Sequence, residues 1–245
     1  KKQPTTGHTS IFIKKIYTMT FSYLYFITLF IGIIGYLTYF IFYSSKFLKS
    51  KISIIFPENK DSFYWLQLTR IVGFISMALL PLLWIMLFDL NFWKIDFSWT
   101  QNDFYFTILM TSILIPLGSL NAKEKEHLKM YPQVRMEKWS ITEYLVNILS
   151  WGIYLLGYEF LFRGVLFLGL IPLTGLYTAI IINTFLYALA HLHKGKKEMI
   201  GSIPLGIILC FITAHNNTIW TAFAIHWIMA SNNFIWSHYF HKKIK

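Results

Sequence analysis

Glu159 and Arg163 stand four residues apart in a stretch, Tyr144 to Ala190, that holds no other Asp, Glu, Lys or Arg. With the glutamate on the N-terminal side, this is the favourable order for a carboxylate and a guanidinium on one helical face. Such a pair either fixes helix packing or tunes a carboxylate for proton transfer. His191 and His193 close the same stretch, and His226 lies between Ile225 and Trp227 in the middle of the last apolar run. A neutral imidazole can hold water, share a proton with a carboxylate or bind a metal. A glutamate and histidines brought together therefore suit the activation of water for hydrolysis. Glu159, His191, His193 and His226 are also acceptable zinc ligands. However, no His-Glu-x-x-His run exists, Arg163 beside the carboxylate opposes a dication, and His191 and His193, two residues apart, face different directions on a helix. No metal and no cofactor is assigned. Unpartnered polar groups are penalised in lipid, so the acid and two of the histidines, on three successive apolar stretches, are expected to converge on one pocket.

The elements that must position them are of membrane length. Of 245 residues, 56% are hydrophobic and only 13% charged, against about 25% charged in a soluble domain, which excludes a water-soluble globule. A single cysteine, Cys210, excludes a disulfide framework or a thiolate metal cluster. The net charge of +11 comes from cations clustered between apolar runs, where they set membrane orientation rather than bind nucleic acid. Those runs are Ile16 to Ser45, Ile71 to Phe88 (back to Tyr64 if Arg70 lies near the interface), Phe104 to Ala122, Tyr144 to Ala190 and Met199 to Phe240. Spanning the hydrocarbon takes roughly 20 residues. Division of the fourth run at Leu170-Ile171-Pro172 and of the last at His215-Asn216-Asn217-Thr218 gives an all-α polytopic bundle of about seven spans. Segments 46 to 62, 123 to 138, 194 to 198 and 242 to 245 hold 15 of the 22 Lys and Arg, which puts them and the C-terminus in the cytoplasm. Lys1, Lys2, Lys14 and Lys15 then lie on the opposite side, a conflict that one further upstream helix, an eighth span, would remove. No signal-peptide pattern is present. Lys123 to Ser140 reads equally as a helix lying at the interface or as a solvated loop. Residues 1–122 form the N-terminal spans and 123–245 the site-bearing core, packed as one membrane domain.

Gly157-Tyr158-Glu159-Phe160-Leu161-Phe162-Arg163-Gly164, then Tyr187-x-x-x-His191, then His226 in the final helix, resembles the CPBP family of intramembrane endopeptidases. That family includes the CAAX prenyl endopeptidase type and bacterial bacteriocin-processing and immunity relatives. Its pattern is Glu-Glu-x-x-x-Arg, Phe-x-x-x-His and His-x-x-x-Asn or Asp. The resemblance covers about Tyr131 to Asn233. It implies an integral protein of the bacterial cytoplasmic membrane, with catalytic residues Glu159, His191 and His226 supported by Arg163, Tyr158, Tyr187 and Asn233. It implies membrane lipid, a membrane-associated peptide or protein substrate, and possible partner membrane proteins; nucleic acid has no place in it.

Two positions depart from the pattern. The glutamate regarded in the family as activating water falls on Tyr158, and the amide four residues after the last histidine falls on Ala230. A phenol with a reference pKa near 10 is no base at neutral pH. Loss of a general base typically costs ~10²–10⁴ in rate, and loss of an oxyanion donor ~10²–10³. Asn232 and Asn233 follow His226 too far along the axis to replace the amide without a kink. The chain therefore reads either as an intramembrane endopeptidase with an altered site or as a weak or inactive pseudoprotease that binds a substrate or supports a membrane complex. A transporter or channel ranks below both, because the sequence shows no inverted repeats. Two geometric expectations follow: a direct buried Glu159 to Arg163 pair, and one hydrated cavity holding His191 and His226, open toward the cytoplasmic half, with Tyr158 at its wall.

Overall fold

The computed structural model describes residues 6–57, 59–88, 96 and 98–244, with side chains from residue 23 on. Lys1, Lys2, Lys94 and Lys245, which enter the charge count, lie outside the described residues, as do the side chains of Lys14 and Lys15. Nine helices and no strand element occur among the described residues: α1 (Thr6–Ser44), α2 (Lys46–Ile52), α3 (Asp61–Leu87), α4 (Gln101–Asn121), α5 (Lys125–Met130), α6 (Ile141–Thr174), α7 (Leu176–His191), α8 (Lys196–Asn216) and α9 (Trp220–Ile244). The chain is an all-α bundle of membrane-length helices.

Local chemistry fixes most of the ends. Thr100 and Ser140 each close a capping box, with Asp103 and Glu143 reaching back to their backbone N–H at 2.8 and 2.7 Å. Lys60, just before α3, pairs with Glu143 at 2.7 Å and so ties the starts of α3 and α6 together. Asn217, in the left-handed region at φ +53°, makes the expected turn between α8 and α9. The other expected turn is displaced. The helix runs through Leu170-Ile171-Pro172 and stops at Gly175, whose φ of +82° favours glycine and whose N–H bonds Ile171 O at 2.9 Å.

Among the described residues six helices are long and apolar enough to cross a membrane, against the seven spans expected. The difference is α9, whose 25 residues carry His, Asn, Ser, Thr and Trp as well as aliphatic side chains. It still traverses the same layer as α4, running parallel to it: Thr221 bonds Asp103 at 2.5 Å, and farther along Asn232 bonds Ile115 O at 3.3 Å. Exposed apolar faces on α1, α3 and α4, including Phe26, Phe30, Leu83, Met86, Phe104 and Leu109, suit contact with lipid.

The central element is α6. Its 34 residues extend for about 50 Å at helical rise, and 83% of its most apolar window is buried inside the protein. Phe160–Leu168 is a π-helical stretch beginning directly after Glu159, and Ile75–Leu79 in α3 is another. The two helices meet at Gly157, where an added Cβ would lie 2.9 Å from Phe74 Cα. One core, including Tyr25, Tyr39, Met77, Leu155, Phe167, Tyr187 and Cys210, draws on α1, α3, α6, α7 and α8. The segment expected as either an interfacial helix or a solvated loop holds the six-residue α5, after which the chain tucks Tyr131 and Val134 into the protein, the latter against Phe63 and Leu66.

Candidate functional site

Glu159 and Arg163 are both 0% exposed, an arrangement that in lipid demands partners on every side. Arg163 Nε lies 3.6 Å from Glu159 Oε2, the direct buried pair expected from their spacing. The other carboxylate oxygen, Oε1, accepts from His226 Nδ1 at 2.7 Å. Arg163 Nη1 donates to Asn183 Oδ1 at 3.2 Å, and the guanidinium lies over the Tyr187 ring with Cζ 4.5 Å from its centroid. Asn183 completes the tie by donating Nδ2 to Phe162 O at 2.6 Å, within the π-helical stretch, while Cys210 Sγ donates to its Oδ1 at 3.2 Å. A carboxylate from α6, a guanidinium one turn on, an amide from α7 and an imidazole from α9 thus form one network, in which Glu159 Oε2 and Arg163 Nε and Nη2 make no hydrogen bond.

The histidines meet beside it. His191 and His226 rings lie 6.3 Å apart, nearly parallel at 24°. Tyr158 stands edge-on to both, at 6.2 and 5.7 Å, and Tyr187 packs at 4.6 Å from His191. His191 Nδ1 bonds Tyr187 O at 2.8 Å. A carbonyl and a carboxylate can only accept, so both histidines carry hydrogen on Nδ1, and in the neutral rings Nε2 is left as an acceptor.

Both histidines, with Tyr187 and Ala230, line a cavity of about 420 Å³. Its remaining walls come from α3, α4, α5, the chain between α5 and α6, the first half of α6, Lys194 and the start of α8, so it reaches the two cation-rich connections at 123–138 and 194–198. Tyr158 does not line it. That ring is packed behind the histidines on Phe162, at 4.4 Å, and its hydroxyl is buried without a hydrogen-bond partner. Glu159 does not line it either.

Asn233 is on the cavity wall but not at His226. Its Oδ1 is held by His127 Nε2 at 2.5 Å and Ser237 Oγ at 3.2 Å, and Asn232 is turned toward α4. His193 stands apart as well, its ring against Phe40 at 5.7 Å. No group of three or more His, Cys, Asp or Glu side chains is placed to hold a metal ion among the described residues. Sequence reasoning passed over Asn183 and Arg70. Asn183 had a signal, since Asn183, Tyr187 and His191 recur every four residues and so share a face of α7. Arg70, for which length counting only raised a position near the interface, is 2% exposed and faces α6.

With this geometry in place, residues 132–231 match the family model described as type II CAAX prenyl endopeptidase, Rce1-like. Over that segment the chain is similar to the CPBP, CAAX-protease-like family. No curated protein and no solved structure matches the chain. The match takes in every residue of the Glu159 network and both cavity histidines, and leaves out α1 to α4. This is a membrane CAAX-protease-like protein whose family segment is completed, in space, by helices outside it.

Proposed function

We propose that this CAAX-protease-like protein holds a membrane-associated peptide in the cavity beside His191 and His226, with hydrolysis that is slow or absent. The observation that carries this reading is the place of Glu159, behind His226 and off the cavity wall. One of its oxygens accepts from His226 and the other faces Arg163, and the carboxylate does not reach the cavity. It orients an imidazole from behind and does not face the cavity in which a water would be activated. The neighbouring position that could do so carries Tyr158, and the wall position after His226 carries Ala230, which has no donor for an oxyanion. Cation-rich connections around the cavity support a mouth on the cytoplasmic side, in the reading of the host as a bacterial membrane.

The 2.7 Å bond from His226 to Glu159 favours a second reading. A carboxylate behind an imidazole fixes its tautomer and orientation, so His226 Nε2 would take the proton from water. Purified protein given a panel of membrane-tethered peptides distinguishes the two. Weak or absent cleavage, raised at least about tenfold when Tyr158→Glu and Ala230→Asn restore a base and an oxyanion donor, supports the binding protein. Robust wild-type cleavage, abolished by Glu159→Gln and indifferent to those restorations, establishes the Glu159 and His226 pair as the base.

A further inference from the structure

The chain just after α1 forms a short helix with two distinct faces. Ser45 caps it, accepting from Leu48 N at 3.2 Å, and α2 (Lys46–Ile52) runs on as a 3-10 turn over Ser53–Ile55. Leu48, Lys49, Ile52, Ser53 and Phe56 recur at helical spacing and are half-buried. This inner face is held to α3, since Lys49 Nζ donates to Ser62 Oγ at 3.1 Å and Phe56 stacks on Tyr64 with ring centroids 5.2 Å apart.

The outer face carries Lys46, Phe47, Ser50, Lys51, Ile54 and Ile55, and all six are exposed. Phe47, Ile54 and Ile55 are 68%, 79% and 75% exposed, which in water makes an unfavourable apolar patch. A bilayer interface accepts it. The segment joins two membrane-length helices, α1 and α3, and so lies where both of them leave the hydrocarbon. Charge decides which lipid fits. Ser45 to Pro57 holds three lysines and no Asp or Glu, and among the described residues none of the three is within ion-pair distance of a carboxylate. Lys51 Nζ stands 6.0 Å from the Phe47 ring centroid, one turn away, so cation and aromatic project from the same side. A lysine stem can lie along apolar surface while its ammonium stays in the head-group layer.

We propose that the outer face of α2 and of the turn after it is a binding surface for anionic phospholipid, with Phe47, Ile54 and Ile55 among the acyl chains and Lys46 and Lys51 on phosphate oxygens. A zwitterionic head group also brings an ammonium, which this acid-free face has nothing to receive. A second copy of the chain docked by a two-fold axis would set the same lysines against one another. The surface is separate from the peptide reading above, because none of its residues lines the cavity at His191 and His226.

The test uses the full chain with a bimane fluorophore on Ser50→Cys, in phosphatidylcholine nanodiscs doped with either phosphatidylglycerol or phosphatidylcholine that carries a nitroxide quencher near the head of the acyl chain. Cys210 is buried and takes no label. The phosphatidylglycerol quencher is expected to give equal quenching at about a fifth of the concentration, the worth of one lysine beside an anionic lipid. Lys46→Gln combined with Lys51→Gln, both on exposed side chains, should bring the two quenchers level, and high salt should narrow the gap. Bimane on Gln101→Cys, exposed at the start of α4, should not distinguish the lipids. Equal quenching by both lipids at Ser50→Cys overturns the proposal. So does quenching by neither, which would leave the face to a second copy or another protein. A preference that survives the double variant, or that is matched at Gln101→Cys, assigns the selectivity to other cations and overturns it as well.

Discussion

Arg163 holds three neighbours at once, and each asks something different of its side chain. Glu159 requires positive charge, Asn183 a donor at Nη1, and Tyr187 a flat group over its ring. Arg163→Ala leaves a buried carboxylate without its cation, a loss typically of ~3–5 kcal/mol, and should lower the melting temperature and yield in detergent. Arg163→Lys keeps the charge but not the planar fork, so it should recover only part of that loss; full recovery would show that charge alone matters. Asn183→Leu should weaken the same network from α7, with a melting temperature between wild type and Arg163→Ala. His127, outside the spans, offers a pH readout. It donates to Asn233 and accepts through Nδ1 from Asn121 Nδ2 at 3.2 Å, which requires the neutral ring, and burial lowers its pKa from 6.5. Below 6.5 the unfolded chain takes up the proton first, so the stability that His127 contributes above that value is lost as pH falls through the lowered folded pKa. The melting temperature should drop from pH 7 to pH 5, and the drop should be smaller in His127→Gln. An equal drop in the variant would assign the pH dependence to other groups.

Where α3 and α6 cross, backbone rather than side chain sets the distance. A Cβ on Gly157 would press on Phe74 Cα, which cannot rotate away, so Gly157→Ala must move a helix two residues before Glu159. Overpacking of this kind typically costs ~1–3 kcal/mol, and the shift should be felt at the 2.7 Å bond to His226, visible as a change in His226 ring resonances in labelled protein. Gly201, in α8 with nothing within 4 Å of a built Cβ, is the control, and Gly201→Ala should be neutral or slightly stabilising. Elements of this type were only partly legible in the sequence. Glu159, Arg163, His191 and His226 announced themselves because charge and imidazole are costly in an apolar run. Pro172 misled because a proline in a membrane helix can be accommodated by neighbours and local adjustment, while Gly175 ended the helix through a conformation that periodicity does not register. Arg70 was passed over for a related reason. Length counting offers a cation the nearest interface, but Asn147, Ser150 and Gln133, each unremarkable alone, come together only once α3, α6 and the chain before α6 are folded against one another.

The bundle as a whole commits each connection to a side, because α4 and α9 run parallel and three long helices, α6, α7 and α8, lie between them. An odd number of intervening crossings returns the chain to the same direction, so α4 and α9 must both start on one face and finish on the other. The segment after α4 and the segment at the end of α9 are then together, and both are rich in Lys, as is the start of α8. Charge bias and helix packing, two independent constraints, agree on which connections share a face, and the expectation that this face is cytoplasmic follows from the bias alone and is open to test. The single native cysteine makes this measurable. Cys210 is 0% exposed, so it should stay unlabelled by a membrane-impermeant maleimide and give no background. Lys197→Cys, on an exposed residue at the cavity, and Gln101→Cys, exposed at the start of α4, lie on opposite faces. In intact cells the reagent should label Gln101→Cys and spare Lys197→Cys, and lysis should expose the second. Labelling of Lys197→Cys before lysis would turn the cavity to the outside and, with it, require any peptide it holds to come from there.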